Sequence, residues 1–312
     1  MKIVLVGVGR TGSHTAQLLA PKLRARDELV IVDRDALEES NLDGCALYAK
    51  RDIGKLKANL LAEKISTKTK AKVTPASAHL SPANISTIFG TGKNKADLIL
   101  DCTDNWQTRT LINEYCWKNK ITWIYSGALE NRAMCTVIFP RDGACFACWA
   151  QKPIAPISCS EVGVAPRALR IISKVQVAQA LAILKNRKPT LKGIMFFFHR
   201  GSRGKEVKKT VTLEKKTVCL FCVKGRSLYG EQEAIVTCGG NEWMFQNNFR
   251  EKNAKEIYKK LEGFERKVFG EVVKVTVGKT TATVFANGTT MVRAKNREHA
   301  SAANQAIAQK IA

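Results

Sequence analysis

Three glycines, Gly7-x-Gly9-x-x-Gly12, lie between an apolar run, Lys2 to Gly7, and a helical stretch from Thr11 to about Leu23. A buried strand running through a glycine turn into a helix brings backbone close to a phosphate and aims a helix N-terminus at its charge. The next apolar run, Leu29 to Asp33, ends on a carboxylate placed to accept from ribose hydroxyls. On these residues alone the site is a nucleotide site, with NAD, FAD and ATP all open.

The rest of the first half keeps alternating. Gly54 to Ser66 has helical spacing, Lys72 to Ala76 reads as a short strand and Ser81 to Phe89 as a capped short helix. Asp97 to Asp101 reads as a buried strand, Asn105 to Asn119 as a helix, and Ile121 to Ser126 and Met134 to Pro140 as strands. Strand and helix in alternation predict an α/β fold, a Rossmann-like, doubly wound, mostly parallel sheet covered on both faces. Pro166 to Asn186, apolar nearly all round, predicts a helix buried in a core or a subunit contact. Ile194 to Leu213 predicts two strands joined by a basic hairpin at Gly201 to Gly204.

After about Gly230 the pattern changes. Glu233 to Thr237 and Val272 to Val277 read as strands, Asn253 to Leu261 and Arg297 to Ile311 as helices, and Thr281 to Ala294 as a hairpin turning on Asn287-Gly288. Two units are expected: residues 1–228, carrying the nucleotide site and paired cysteines, and a small α+β C-terminal module, 229–312.

Ten cysteines in a chain whose opening reads as a strand and not as a signal peptide favour metal or thiol chemistry over a disulfide framework. Cys145-Phe-Ala-Cys148 and Cys219-Leu-Phe-Cys222 together suit a closed tetrahedral structural zinc, which would pin the loop after the sheet to the end of the basic hairpin. A thioredoxin-like redox pair is the rival. The four histidines show no ligand spacing. No apolar run is long enough for a membrane span, and a cytoplasmic protein is expected.

Charge is uneven. Residues 1–150 carry 21 Lys and Arg against 15 Asp and Glu, whereas residues 151–312 carry 30 against 12. That basic half would steer acidic partners, a protein or RNA, although no nucleic-acid motif accompanies it.

Between these landmarks lie Asp33-x-Asp35, Glu38-x-Ser40-Asn41-Leu42, Asp52-Ile53-Gly54-x-x-Lys57-Ala58, and Asp101-Cys102-Thr103-Asp104-Asn105 with Arg109 five residues past its second Asp. With both C-x-x-C pairs, this order resembles the ThiF/MoeB family, relatives of the ubiquitin-activating enzymes, over about residues 1–225. The module resembles, more weakly, a C-terminal extension of some archaeal members, through TATVFANGTTMV.

The resemblance implies adenylation of the C-terminal carboxylate of a small ubiquitin-like or sulfur-carrier protein, with ATP and Mg²⁺, in a homodimer. Negative charge builds on the phosphates, so cations must be placed in advance. By the same resemblance Lys57 would contact phosphate, Asp104 would contact Mg²⁺ or ATP with Asn105 beside it, and Asp33 would hold the ribose. Ser40 and Asn41 would lie in the loop closing on the nucleotide, and Arg109 in the wall of the site. The plainer alternatives are a solvated helix charge for Lys57, a helix cap for Asp104 and an internal ion pair for Arg109. Cys159, in a C-x-x-x-G-V segment, would carry a thioester or persulfide; a structural cysteine is the alternative.

The family continues S-N-L-x-R-Q, and its arginine contacts the triphosphate. Here Gly44 and Cys45 stand in place of Arg and Gln. The chain also opens directly on its first strand, without the helices that carry an arginine into a neighbouring subunit. Arg10 or Arg51 could substitute. Two rivals follow: a nicotinamide-dependent oxidoreductase, which explains only the turn and Asp33, and a silent relative that binds a carrier protein or RNA.

Overall fold

The structure, a computed structural model, describes residues 1–150, 163–228, 235–236, 242–251 and 253–312. The strands of the first half are β1 (Lys2–Val6), β2 (Glu28–Val32), β3 (Lys72–Ala76), β4 (Leu98–Asp101), β5 (Thr122–Leu129), β6 (Arg132–Ile138), β7 (Ile194–Arg200) and β8 (Glu206–Thr212). The helices are α1 (Arg10–Leu19), α2 (Lys57–Ser66), α3 (Ile85–Phe89), α4 (Trp106–Asn119), α5 (Phe146–Trp149) and α6 (Pro166–Leu184).

All eight strands form one sheet in the order β3-β2-β1-β4-β5-β6-β7-β8. Strands β1 to β5 pair in parallel, and β6, β7 and β8 are added antiparallel. Helices α1, α2 and α6 bury Leu19, Leu61 and Ile172 against one face; α3 and α4 bury Phe89 and Ile112 against the other. The expected layers are therefore present, and the strand order reverses between β1 and β4, where an open α/β sheet leaves a crevice.

Several local expectations need correction. The helix expected from Ser81 begins at Ile85, because the Asn84 side chain accepts from the Ser81 amide and folds residues 81–84 into a turn. Helix α6 is not buried all round: Arg167, Arg170 and Lys174 are exposed, and its inner face carries two buried amides, Gln176 and Gln179. Gln176 donates to the carbonyls of Asp101 and Ile124 and accepts from Thr15, so it ties the strand ends behind the crevice.

The C-terminal sheet contains β9 (Ile235–Val236), β10 (Glu242–Gln246), β11 (Glu265–Phe269), β12 (Val272–Val277), β13 (Thr280–Phe285) and β14 (Thr289–Arg293), in the order β11-β12-β13-β14-β10-β9. Strands β10 and β11 were not expected, since β10 lies beside a glycine pair and β11 is half charged. Helices α7 (Ala254–Lys260) and α8 (Arg297–Ile311) cover one face and enclose Val273, Val284 and Val292. Asn253 and Asn296 cap them, each side-chain oxygen accepting a first-turn amide.

The second sheet is docked on the segment between β2 and β3 that contains α2. The Gly54 carbonyl accepts from the Glu271 amide at 3.0 Å. The Glu271 carboxylate accepts from the Leu56 amide and the Asn59 side chain, and Lys274 pairs with Glu38 at 3.0 Å. No helix among the described residues is long and apolar enough to cross a membrane.

Candidate active site

A cavity of about 990 Å³ opens where the strand order reverses. Its inner end is the glycine turn. Gly7 has φ +81°, and a Cβ there would stand 2.9 Å from the Cys102 carbonyl. At Gly12 a Cβ would come within 1.9 Å of the Gly7 carbonyl, so glycine lets α1 pack onto the end of β1. Nothing lies within 4 Å of a Cβ at Gly9, which leaves open space before the first turn of α1. The three glycines thus serve three purposes: backbone conformation, helix packing and clearance for a ligand.

Asp33 ends β2 with both carboxylate oxygens accepting backbone amides, Val8 at 2.7 Å and Asp35 at 2.8 Å. The carboxylate is thereby held at the cavity wall in one orientation. Desolvation, and then Asp35, push its pKa up against the pull of Lys57. Asp35 pays a desolvation cost too, but Lys57 and Arg34 hold it below the usual carboxylate range.

Lys57 opens α2, is 6% exposed and places its Nζ 3.2 Å from Asp35. Burial opposes its charge, yet Asp35 and Asp33 outweigh burial and raise its pKa above the ordinary lysine value. A buried ammonium is thus kept charged at the cavity. Asp35 is a site residue that sequence reasoning does not single out. Its signal is the second Asp of Asp33-x-Asp35, but pairing with a lysine 22 residues away has no local trace.

Asp104 is exposed and lines the same cavity. Asn105 lines it too, with its side chain committed to capping α4: Oδ1 accepts the Thr108 amide at 2.8 Å. Arg109 pairs with buried Asp101 at 3.5 Å, lies over the Tyr125 ring at 4.7 Å, and donates to the Ser126 and Thr103 carbonyls. Its internal ion pair is therefore real, and its side chain also forms cavity wall. Ser40 and Asn41 sit on a short turn over the cavity, where Asn41 accepts the Glu38 amide.

The two substitute arginines separate. Arg51 is exposed and lies outside the cavity wall. Arg10 lines the cavity and donates from Nε to the Asp43 carbonyl at 3.0 Å. Its side chain lies across Gly44, where a Cβ would meet Arg10 Cδ at 3.2 Å and Nε at 3.3 Å.

The four paired cysteines converge. Cys145 lies 3.8 Å from Cys148 and 3.7 Å from Cys219, and Cys148 lies 3.6 Å from Cys222, sulfur to sulfur. A disulfide needs about 2.05 Å, whereas four thiolates around a tetrahedral ion with Zn–S near 2.3 Å stand about 3.8 Å apart. The four sulfurs therefore stand at the spacing of a tetrahedral metal site, and no disulfide joins them. Cys102, Cys116 and Cys135 belong to the core region, and burial pushes the Cys102 thiol up to about 12. Cys159 lies outside the described residues.

Comparison with known proteins agrees with this geometry. The model of the ThiF family matches residues 1–220. The SAMP-activating enzyme E1 of Haloferax volcanii is 27% identical over 201 residues, 63% of this chain and 72% of that protein. The molybdopterin-synthase adenylyltransferase of Escherichia coli is 26% identical, over 59% of this chain and 72% of its own length. The adenylyltransferase and sulfurtransferase MOCS3 of Caenorhabditis briggsae is 28% identical, and only 58% of its length is covered. Among solved structures, E. coli MccB with ATP superposes with a TM-score of 0.57 at 17% identity, covering 71% of this chain and 65% of that one.

Proposed function

The chain belongs to the ThiF family, and on that premise we propose that it adenylates the C-terminal carboxylate of a small ubiquitin-like or sulfur-carrier protein. One observation carries this reading: a single cavity at the reversal of strand order receives the glycine turn, Lys57 and Asp104 together.

The residues present fit ATP and Mg²⁺. The open space at Gly9 and the N-terminus of α1 suit a phosphate, and Asp33 suits a ribose. The exposed Asp104 carboxylate would hold Mg²⁺, which, when bound, offsets charge on the phosphates. Lys57, kept charged by Asp35, would stabilise the charge that builds as the acceptor carboxylate attacks the α-phosphate and pyrophosphate leaves. Arg10 would supply the guanidinium that Gly44 lacks, since its side chain already fills the space over that glycine. Ser40 and Asn41 would close over the nucleotide.

The four cysteines would hold a structural zinc, which, when bound, ties β6 and the segment after β8 into one unit. Cys159 would attack the acyl adenylate to form a thioester, with AMP leaving; to act as a persulfide it would first have to accept sulfur from a sulfane-sulfur donor. The acceptor would be acidic, in keeping with the basic second half, and a homodimer is the expected assembly.

The test is ATP–pyrophosphate exchange with small carrier proteins from the same organism, alongside binding of ATP and NAD. Exchange above background, with ATP bound and NAD not, supports the reading. Folded, zinc-loaded protein that exchanges with no carrier selects the silent scaffold.

A further inference from the structure

Among the described residues the second sheet has helices on one face only. The opposite face carries Lys274, Thr283 and Met291 in one cross-strand row, with Val272 paired to Phe285 beside it. These residues, and Arg293 one row on, line the cavity that contains the glycine turn. This face is therefore a wall of the candidate active site, although it lies more than 200 residues from Gly7 in the chain.

The docking contact makes that wall fixed. Gly54 and Gly270 both have positive φ and touch backbone to backbone, and Glu271 binds the residues that open α2. Across the cavity from the cradle, Met134 of β6, Phe197 of β7 and Lys209 of β8 form a matching row on the first sheet, and Arg132 lines the same region. The outer part of the cavity is thus a slot between two sheets, with apolar Met134, Phe197, Phe285 and Met291 inside it. On the second sheet Lys274 and Arg293 line it, paired with Glu38 at 3.0 Å and Glu242 at 3.8 Å, and Arg132 and Lys209 line it from the first sheet, so cations exceed carboxylates among these side chains.

We propose that the open face of the C-terminal sheet is the wall that reads the acceptor. Its occupant is an extended peptide tail with acidic side chains upstream of its terminal carboxylate. An extended chain fits between facing sheets, and the excess of cations selects acidic side chains along it. The proposal rests on the adenylation reading for the fate of the carboxylate, but not for the binding itself.

The test uses the full-length protein without nucleotide and two labelled synthetic peptides of equal length with free terminal carboxylates. One carries two glutamates upstream of its terminus and the other two glutamines. Fluorescence anisotropy is expected to show the glutamate peptide binding about tenfold more tightly at low salt, with the advantage lost in Lys274→Ala/Arg293→Ala and kept in Lys274→Arg/Arg293→Lys. Hydrogen exchange of wild-type protein is expected to slow in Val272–Val277 and Thr289–Arg293 when the glutamate peptide binds, a readout that does not depend on any variant folding. Equal binding of the two peptides, or no protection of those strands, overturns the proposal. ATP binding is measured separately on the wild type: its absence defeats the adenylation reading and leaves the peptide result to be judged on its own.

Discussion

Gly54 and Gly270 meet so closely that a Cβ on Gly270 would lie 1.8 Å from the Gly54 carbonyl oxygen. The first residue belongs to the segment that leads into Lys57, and the second to the turn between β11 and β12. No side chain other than hydrogen fits this joint, and both residues have positive φ. Gly270→Ala is therefore expected to unseat the second sheet. The thermal midpoint should fall by several degrees, at about 2–4 °C per kcal/mol for a chain of this order, and amide exchange at residues 55–59 should speed up. Gly278→Ala is the control: it shares a φ of +60° but has nothing within 4 Å. It should cost only the backbone term, about 1–2 kcal/mol. Equal losses in the two variants would show that the joint is not what the alanine disrupts.

Lys57 keeps its charge because Asp35 stands 3.2 Å away. Lys57→Met should weaken pyrophosphate exchange about 10²–10³-fold, the usual cost of removing one preorganised electrostatic contact from a reacting centre. Asp35→Asn should do less to exchange and more to stability, since it leaves a buried ammonium with Asp33 as its remaining close carboxylate. Both are read by exchange assays beside urea denaturation.

Arg10 and Gly44 behave as one unit in the structure. Arg10→Ala should slow exchange by a factor like that for Lys57→Met. Moving the cation back to the loop in Arg10→Ala/Gly44→Arg tests the pairing, although the φ of +84° at Gly44 adds backbone strain. Exchange in Arg10→Ala equal to wild type removes Arg10 from the reaction.

The cysteine cluster should hold one zinc per chain, measured on protein purified without chelator. Cys148→Ser should lower both zinc content and the unfolding midpoint, because metal binding free energy is folding free energy at such sites. Zinc-free protein that melts like the wild type would leave the four thiols without a metal role.

His79 gives a pH dependence with a definite sign. Burial, and then the Arg34 guanidinium, push its pKa well below the usual histidine value, so the folded state keeps it neutral. Below about pH 6.5 the unfolded chain takes up a proton that the folded chain refuses. Stability should therefore fall as pH drops from 7 towards 5, by up to about 1.4 kcal/mol per pH unit from this group. His14, whose pKa is also lowered by burial, contributes in the same direction. Urea melts at several pH values should show a shallower slope in His79→Gln than in the wild type.

The parts of this protein that rest on local rules were legible in its residues. Apolar runs of strand length alternating with helical spacing specify a parallel sheet, because only crossover helices can cover both of its faces. The order of Gly7, Gly9 and Gly12 specifies a tight strand-to-helix turn with open space at its tip, because a Cβ would clash at Gly7 and Gly12 while Gly9 leaves its surroundings clear. Two C-x-x-C pairs announce a four-sulfur cluster, because four sulfurs at that spacing suit a tetrahedral ion. What the residues could not disclose depends on distance through space. Asp35 as the partner of Lys57, Arg10 lying over Gly44 and Gln176 tying the strand ends all join positions remote in the chain. The largest such surprise is the second sheet. Lys274 and Arg293 look like ordinary strand-surface charges until the Gly54–Gly270 joint turns their face onto the cavity. Their position comes from a backbone-to-backbone contact, and such a contact leaves no periodicity or motif for a sequence to display.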